Sequence, residues 1–346
     1  MIVRSYVKNY EISLYHNLCF MDELDKIKDR LVVVDKNVYD KHREIFNYYK
    51  SNEIFILEAS EENKTMDTVL DICKKLSRLN AKRDANLISF GGGTIQGLTG
   101  FAANIFYRGI NWYYIPTTLS AQADSCIGSK TSINFQKEKN MIGTFYPPNK
   151  VYIFPRFLKT LGTDEFLSGI GDVVKFNIMS DLSCISKLEN DIDSLISHDY
   201  NLLLDYIRFS LEYKKLFVEN DEFDYSEGKL INYANDFGYA IENISAYSFP
   251  CGQAASIGMI IANRISYKRG LLSRETCERI ENVIKKIISM PLKEKYFKYE
   301  SIKKYLNSRI VILNKKAEPE LVADISVDEI KAALDQTRNV LLDKIK

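Results

Sequence analysis

A glycine-rich segment directly after a short apolar run, SFGGGTIQGLTGF at residues 89–101, constrains the fold of this chain most strongly. The run ANLISF before it predicts a buried strand, and three consecutive glycines allow a tight turn into a helix. Such a turn brings the backbone N–H groups of a helix N-terminus close to a bound phosphate. The segment lacks the acidic residue that usually accompanies a dinucleotide site, so a tight bend without any ligand remains an alternative.

The flanking sequence predicts two kinds of architecture. RLVVVD, EIFILE and INWYYIP are apolar runs typical of buried strands, and TMDTVLDICKKLSRLN has apolar residues at helical spacing. They indicate an α/β domain on a mostly parallel sheet. Beyond FYPPNK, long helical periodicities such as YNLLLDYIRFSLEYKKLF and RETCERIENVIKKIIS dominate, with few strand candidates. We therefore expect an α/β domain at residues 1–158 and a mainly α-helical domain at residues 159–346.

Composition excludes several classes of function. The 346 residues carry 47 basic and 46 acidic side chains, so the net charge of +1 provides no field to gather nucleic acid. No run approaches the roughly 20 apolar residues that span a bilayer, and the N-terminal residues lack the apolar core of a signal peptide. The six cysteines form no CxxC pair, which is typical of buried thiols in a reducing compartment, and we expect no disulfide. We expect a cytoplasmic protein that binds neither nucleic acid nor membrane.

Histidine is scarce, because His16, His42 and His198 are the only three and none neighbours another. A metal site with two or three histidines would need these residues to converge. A polar stretch with little regular periodicity, IPTTLSAQADSCIGSKTSINFQKEKNMIGTFYPP, carries the candidates for ligand binding instead. Its lysines alternate with small residues, unlike a solvated surface. The candidate side chains are Thr117, Thr118, Asp124, Lys130, Lys139 and Asn140.

Four segments resemble the 3-dehydroquinate synthase family, part of the wider group of sugar phosphate cyclases. They are GGGTIQGLTGFAANIFYRG, PTTLSAQADSCIGSKTSIN, KNMIGTFYPP and LKTLGTDEFLSGIGDVVKFNI, and the resemblance runs in register from EENKT to ASIGMIIANRI. It implies a Rossmann-like N-terminal domain that binds NAD, a helical C-terminal domain with metal and substrate residues, and an active site in the cleft between them. It also implies a homodimer. The family's reaction is oxidation of a sugar phosphate by NAD, elimination of phosphate, re-reduction and closure to a carbocycle.

The resemblance implies a set of cofactor contacts, beginning with Glu61 and Lys64 in the family's GExxK motif. The full set is Glu61, Lys64, Gly91, Gly92, Gly93, Thr94, Thr117, Thr118, Lys130, Lys139 and Thr160. Gly97 departs from the pattern, since the family's GGGxxGDxxGF has an aspartate there. A charge-assisted hydrogen bond is worth about 1.5–3 kcal/mol, so we expect weakened but retained NAD binding. An aspartate returned to position 97 should recover part of it.

The resemblance also implies a substrate side rich in cations, which favours a phosphorylated ligand. These residues are Arg108, Asp124, Lys130, Asn140, Lys175, Lys214 and Asn232. Gly228 stands where the quinate-forming branch has an arginine that pairs with the substrate carboxylate, and glycine cannot form that fork. We therefore expect that a carboxylated heptulosonate 7-phosphate is not a substrate. Glycine here resembles the branch that cyclises glucose 6-phosphate to 2-deoxy-scyllo-inosose.

The metal positions differ from the family at every ligand. Family members hold zinc with the glutamate of GLAEVIK and with histidines of GHTFGHA and HGE, where this chain has GIGDVVK, ANDFGYA and CGQ. The ligand positions become Asp172, Asn235 and Cys251, and Tyr239 replaces the second histidine of the middle motif. Asparagine is a weak zinc ligand, so we expect no zinc site of the family's kind. Cys251 is interpreted as a buried apolar filler and Tyr239 as a helix-core residue.

Two functions of different classes remain. The first is an NAD-dependent cyclase of cyclitol biosynthesis, a phosphate-eliminating carbon–oxygen lyase acting on a neutral sugar phosphate. Lys130 and Lys175 would stabilise its developing oxyanions in place of a metal. The second is a catalytically silent homologue that keeps the fold and acts as a partner or regulatory subunit. The retained lysines favour the enzyme, whereas the changed metal positions favour the catalytically silent homologue. We prefer the enzyme.

Overall fold

The structure is a computed structural model that describes residues 1–136 and 138–345. The chain divides into two compact units, unit 1 at Met1–Leu161 and unit 2 at Gly162–Lys346. Unit 1 is α/β and unit 2 is mainly helical, which confirms the predicted fold class. Among the described residues, no helix is long and apolar enough to cross a membrane.

Unit 1 is built on a sheet of seven described strands in the order β1-β2-β9-β6-β5-β3-β4. All pairings in this sheet are parallel except β1 with β2. Its central strands are buried, as their β-branched and aromatic runs predict. The strands of unit 1 are β1 (Ile2–Val3), β2 (Tyr10–Leu14), β3 (Arg30–Asp35), β4 (Ile54–Leu57), β5 (Asn86–Gly91), β6 (Asn111–Pro116), β7 (Lys130–Phe135), β8 (Glu138–Phe145) and β9 (Lys150–Ile153).

The helices of unit 1 follow from local patterns. In the best example the hydroxyl of Thr65 caps the first turn by accepting from the N–H of Thr68, and Val69, Ile72 and Leu76 form the buried stripe. These helices are α1 (Phe20–Asp25), α2 (Lys36–Lys41), α3 (Arg43–Phe46), α4 (Met66–Arg78) and α5 (Gly93–Ile105). Between β6 and β9 the polar stretch forms the antiparallel hairpin β7–β8 and not an irregular loop.

Unit 2 is organised around one buried helix, α10, whose residues from Gly252 to Asn263 are all buried. A helix that is covered on all sides needs apolar or small residues around its whole circumference, and QAASIGMIIAN supplies them. The helices are α6 (Thr163–Ser180), α7 (Ser183–Ile196), α8 (Tyr200–Asn220), α9 (Asn235–Ile244), α10 (Cys251–Lys268), α11 (Arg274–Ile287), α12 (Tyr299–Ile302) and α13 (Val327–Val340). A short hairpin of β10 (Ile310–Leu313) and β11 (Pro319–Val322) pairs antiparallel.

Glycines let α6 and α10 cross backbone to backbone. The N–H of Gly252 donates to the hydroxyl of Ser168 at 2.8 Å, and a Cβ on Gly252 would overlap the Ser168 carbonyl oxygen. A Cβ on Gly171 would likewise overlap the carbonyl oxygen of Gly252. The crossing therefore places Asp172 and Cys251, the neighbours of these glycines in sequence, on the two helices that meet there.

Candidate cofactor and substrate sites

The glycine-rich segment forms the turn between β5 and α5, as predicted. The carbonyl oxygen of Gly91 accepts from the N–H of Thr117 at 3.0 Å and from the Tyr114 hydroxyl at 3.1 Å. Gly92 is the N-cap of α5 and has no side chain to bond the first N–H groups of the helix. These N–H groups point from a helix N-terminus at the carboxyl edge of a parallel sheet, the geometry that binds phosphate.

An acidic side chain that the sequence patterns missed lies beside this turn. In the pairing of β3 with β5, Val34 is opposite Phe90, so Asp35 follows at the same edge as Gly91. The Asp35 carboxylate accepts from the N–H of Asn37 at 3.1 Å. Burial raises its pKa, while the backbone N–H groups of Asn37 and Ala59 lower it. A carboxylate here can accept hydrogen bonds from ribose hydroxyls. The sequence did offer an indication of this residue, because the predicted strand RLVVVD ends in Asp35.

The loop after β6 forms a π-helical turn at Ala121–Ser125 that contains Asp124. The Gln96 side chain ties α5 to this turn, because its Nε2 donates to the Ser125 carbonyl at 2.6 Å and its Oε1 accepts from the Ser125 hydroxyl at 2.7 Å. The Thr118 hydroxyl accepts from the N–H of Ala121 at 3.2 Å. Gln96 was also missed, and it fixes the segment that carries Thr118 and Asp124.

Four of the residues implied by the resemblance form one hydrogen-bonded group. They come from the segment before α4 and from the β7–β8 hairpin, and they are Glu61, Lys64, Lys139 and Asn140. Nζ of Lys64 donates to Oδ1 of Asn140, and Nζ of Lys139 lies 3.5 Å from Oε1 of Glu61. Asn134, which the sequence patterns missed, joins the two pairs: its Nδ2 donates to Oε2 of Glu61 at 2.8 Å, and its Oδ1 accepts from the N–H of Asn140 at 3.0 Å.

Gly97 lies where this group meets α5. A Cβ at Gly97 would stand 2.5 Å from the carbonyl oxygen of Ser132 and 2.9 Å from Cε of Lys64. Lys64 is itself only 7% exposed, so its side chain fills the space beside the glycine. The structure therefore argues against the expectation that an aspartate at position 97 recovers NAD binding.

The substitution Gly97→Asp is expected to lower the free energy of unfolding by about 1–3 kcal/mol, because the backbone of Ser132 cannot rotate away from the added atoms. Urea denaturation followed by circular dichroism measures the change. The control is Asn104→Asp, which adds the same charge on the same helix. A Gly97→Asp protein as stable as this control, with higher NAD affinity than the unaltered chain, would contradict the expectation.

The remaining implied residues of unit 1 are placed as follows. The Thr160 hydroxyl bonds to Nε2 of His42 at 2.9 Å and donates to the Phe157 carbonyl at 3.1 Å. Lys130 is exposed at the start of β7. Arg108 is exposed after the far end of α5, with a left-handed backbone at φ 63°. Since α5 has 13 residues, Arg108 lies roughly 20 Å along the helix axis from the glycine turn. Arg108 therefore does not lie beside the glycine turn.

In unit 2, Asn232 and Asn235 lie together at the start of α9. Nδ2 of Asn235 donates to Oδ1 of Asn232 at 3.1 Å. Lys175 and Asp172 are buried one helical turn apart on α6, and Nζ of Lys175 lies 4.8 Å from the Phe176 ring centroid. Lys214 is half-buried on α8, which packs against α6.

Two interpretations of single residues need correction. Cys251 is exposed at the first turn of α10, so its interpretation as a buried filler is wrong. Pro250 is the N-cap, so Cys251 is the first residue of α10 and lies outside the stretch from Gly252 onward in which the helix is covered on all sides. Tyr239 is half-buried and not in the helix core, and its ring meets the ring of Tyr305 edge-on at 6.2 Å.

Gly228 is enclosed by acidic groups in the loop after α8. A Cβ at this position would stand 2.6 Å from the carbonyl oxygen of Asp221 and 2.9 Å from Oδ1 of Asp224. Burial favours the protonated form of Asp221, but the N–H groups of Ser226, Tyr225 and Gly228 lower its pKa to about 2. The position therefore lies beside an ionised carboxylate and cannot hold a larger side chain without moving the loop.

One of the three residues at the family's metal positions is poorly suited to zinc. Asn235 offers a neutral amide whose nitrogen is engaged with Asn232, and asparagine is a weak zinc ligand. Within residues 1–136 and 138–345, no three His, Cys, Asp or Glu side chains are grouped to hold a metal.

Comparisons with known proteins agree with an α/β unit followed in sequence by a helical unit. The family descriptions "3-dehydroquinate synthase N-terminal" and "3-dehydroquinate synthase C-terminal" match residues 54–168 and 169–309. A 3-dehydroquinate synthase of Dictyoglomus turgidum is 33% identical over 336 residues, which cover 93% of this chain and 94% of that protein.

Solved structures of sugar phosphate cyclases share the fold. One of them is ValA, a 2-epi-5-epi-valiolone synthase from Streptomyces hygroscopicus subsp. jinggangensis 5008, whose structure has NAD+ and Zn2+ bound. It superposes with a TM-score of 0.87 at 23% sequence identity, and the match covers 95% of this chain and 97% of that one. A 2-deoxy-scyllo-inosose synthase complexed with carbaglucose-6-phosphate, NAD+ and Co2+ gives 0.85 at 21% identity, covering 97% and 99%.

The fold is therefore shared with these two cyclases. The chain belongs to the 3-dehydroquinate synthase family.

Proposed function

We propose that this chain is an NAD-dependent sugar phosphate cyclase whose substrate carries no carboxylate, working as a cytoplasmic homodimer in cyclitol formation. Membership of the 3-dehydroquinate synthase family supports an enzyme of this kind. Two structural neighbours hold NAD+, and one of them holds a sugar phosphate analogue.

Unit 1 supplies a fitting NAD site. The uncapped N–H groups of α5 suit the pyrophosphate, and the carboxylate of Asp35 at the same sheet edge suits a ribose. Glu61, Lys64, Lys139 and Asn140 are already joined by hydrogen bonds through Asn134 and by an ion pair, so binding would not have to assemble them. When bound, NAD supplies reversible hydride transfer. We propose weakened binding relative to the family, because Gly97 provides no carboxylate.

The surroundings of Gly228 carry the substrate assignment. The carbonyl oxygen of Asp221 and the carboxylate of Asp224 crowd the place where an arginine would begin. A substrate carboxylate next to these acids would lose the bidentate partner that it needs and would be repelled. A hydroxyl group, which can donate to a carboxylate, suits the same place. We therefore propose a neutral sugar bearing one phosphate.

The positively charged side chains of the implied substrate site can bind the phosphate and stabilise negative charge on oxygen. Lys175 is buried on α6, where a positive charge interacts more strongly than in water. Asn232 and Asn235 can orient hydroxyl groups through their amides. We propose that Lys175 and Lys130 stabilise the negative charge that develops on oxygen, with Arg108 and Lys214 among the phosphate contacts. Arg108 lies far along α5 from the glycine turn, so any contact it makes would be with the phosphate and not with the nucleotide.

Substrate discrimination tests this proposal. With NAD present, glucose 6-phosphate or another neutral sugar phosphate is expected to release inorganic phosphate, while a carboxylated heptulosonate 7-phosphate releases it at least about 10-fold more slowly. The assay measures free phosphate over time, with Lys175→Met as the inactive control. Faster release from the carboxylated compound would contradict the substrate assignment.

One observation favours a second candidate, a catalytically silent homologue that serves as a partner or regulatory subunit. The positions Asp172, Asn235 and Cys251 no longer offer the family's metal ligands. NAD binding without phosphate release from any sugar phosphate of a broad panel would support this candidate over the enzyme.

A further inference from the structure

A strained turn precedes α9 and carries two of the proposed substrate contacts. Ala234 has a left-handed backbone with φ 66° and ψ −6°, which is uncommon for a residue other than glycine. It is fully buried and lies between Asn232 and Asn235. Strained residues of this kind persist only where the surrounding structure holds them in place.

Hydrogen bonds on both sides hold this turn. The hydroxyl of Tyr233 donates to Oδ1 of Asn263 at 2.6 Å inside the helical core. On the other side, Oδ1 of Asp236 accepts from Nδ2 of Asn307 at 2.7 Å and from the Asn307 N–H at 3.3 Å. Asp236 is only 8% exposed, and a buried carboxylate persists where hydrogen bonds satisfy it.

The partner segment of Asp236 also touches α9 elsewhere. Asn307 follows the short helical turn Lys303–Tyr305, and the ring of Tyr305 meets that of Tyr239 one turn further along α9. The segment is therefore attached to α9 at two points. Both points are contacts between protein side chains, in a stretch of chain where the resemblance places metal ligands.

We propose that Asp236 is a positioning residue that fixes the Ala234 turn, and with it Asn232 and Asn235, by accepting the two hydrogen bonds from Asn307. These protein contacts order the start of α9, at the place where the resemblance has a metal-binding histidine and this chain has Asn235. The role of the two asparagines rests on the proposed function, but the ordering of the turn does not.

Hydrogen exchange of residues 232–240 tests the ordering. Asp236→Ala and Asn307→Ala are each expected to speed exchange there by about tenfold or more, as expected for lost hydrogen bonds to a charged group. The double variant should exchange no faster than Asp236→Ala, because both changes remove the same contact. Asp236→Asn should keep most of the protection, since its amide oxygen can accept the same bonds. Two results would overturn the proposal. One is an equal rise of the exchange rate in the remote helix α7, and the other is a double variant whose effect on exchange equals the sum of the effects of the two single variants.

Two titrations separate this proposal from the proposed function. Asp236→Ala is expected to weaken glucose 6-phosphate binding at saturating NAD, with recovery in Asp236→Asn, while NAD binding to unit 1 stays unchanged. Absence of glucose 6-phosphate binding in the unaltered protein would count against the proposed function, and the exchange data would still decide the role of Asp236. Unchanged exchange in both alanine variants would refute that role whatever the titrations give.

Discussion

Gly252→Ala is expected to lower the free energy of unfolding by about 3 kcal/mol or more. Alanine is the better helix former by about 1 kcal/mol, so propensity alone predicts a gain. The added Cβ, however, would overlap the carbonyl oxygen of Ser168 on α6. Overpacking against a flexible side chain costs about 1–3 kcal/mol, and a backbone carbonyl has less freedom to move away. Denaturation in urea, followed by far-ultraviolet circular dichroism, measures the loss.

Cys251→Ala is the matched control for this prediction. It changes the adjacent residue of the same helix, and Cys251 is exposed, so its stability should change by less than about 0.5 kcal/mol. If Gly252→Ala proved as stable as the control, α6 and α10 would not cross at the observed distance. The placement of Asp172 beside that crossing would then fail too.

Gly93→Ala is expected to weaken NAD binding roughly 10- to 150-fold while leaving the protein folded. Gly93 is the first residue of α5, and a Cβ there meets only the Ser125 hydroxyl, at 3.8 Å. The open space in front of the turn is therefore available to a ligand, and a methyl group would intrude on it. Loss of one charge-assisted hydrogen bond to phosphate, about 1.5–3 kcal/mol, gives this range. Calorimetric titration with NAD measures it.

Ile105→Ala serves as the control for Gly93→Ala. Ile105 is the last residue of α5 and is partly exposed, so its truncation should not change NAD affinity. Equal NAD affinities in Gly93→Ala and the unaltered chain would mean that the glycines serve only the bend. The uncapped N–H groups at the start of α5 would then have no role in NAD binding.

The sequence predicted the parallel strands because each is a continuous apolar run. RLVVVD and ANLISF became β3 and β5, both buried on the two faces of the sheet. The β7–β8 hairpin was not predicted, since its strands mix buried threonine and isoleucine with exposed lysine and asparagine. Such half-exposed polar strands carry little hydrophobic signal, and only their pairing identifies them.

The candidate sites show a different limit. Glu61 and Asn140 are far apart in sequence, and only the resemblance to a family linked them before the hydrogen bonds through Asn134 did. The sequence patterns missed Asp35, because the dinucleotide-binding pattern has its acidic residue after the glycines in sequence. The sheet order places β3 next to β5, so the acid precedes the turn in sequence and lies beside it in space. The sequence did not identify Asp236 as a structural residue, because its hydrogen-bond partner Asn307 lies in a distant segment of the chain.

The departures from the family gather in unit 2, and the cofactor side in unit 1 is largely kept. Gly228, Asn235 and Cys251 replace residues that the resemblance links to a substrate carboxylate and to zinc. The glycine turn between β5 and α5, by contrast, retains the glycines and threonines that the resemblance links to NAD. This division is what a cyclase with a changed substrate would show, since the hydride chemistry stays the same while the recognised groups differ.

Nuclear magnetic resonance analysis of the product formed from glucose 6-phosphate, with NAD present, tests the central claim most directly. The account predicts a carbocyclic ketone, one equivalent of inorganic phosphate and no net NADH, because the hydride removed in the first step returns in a later one. Should glucose 6-phosphate not react, the same product analysis applies to the other neutral sugar phosphates. Phosphate released with an open-chain or unchanged sugar ring, NADH that accumulates with turnover, or no reaction with any neutral sugar phosphate would contradict it.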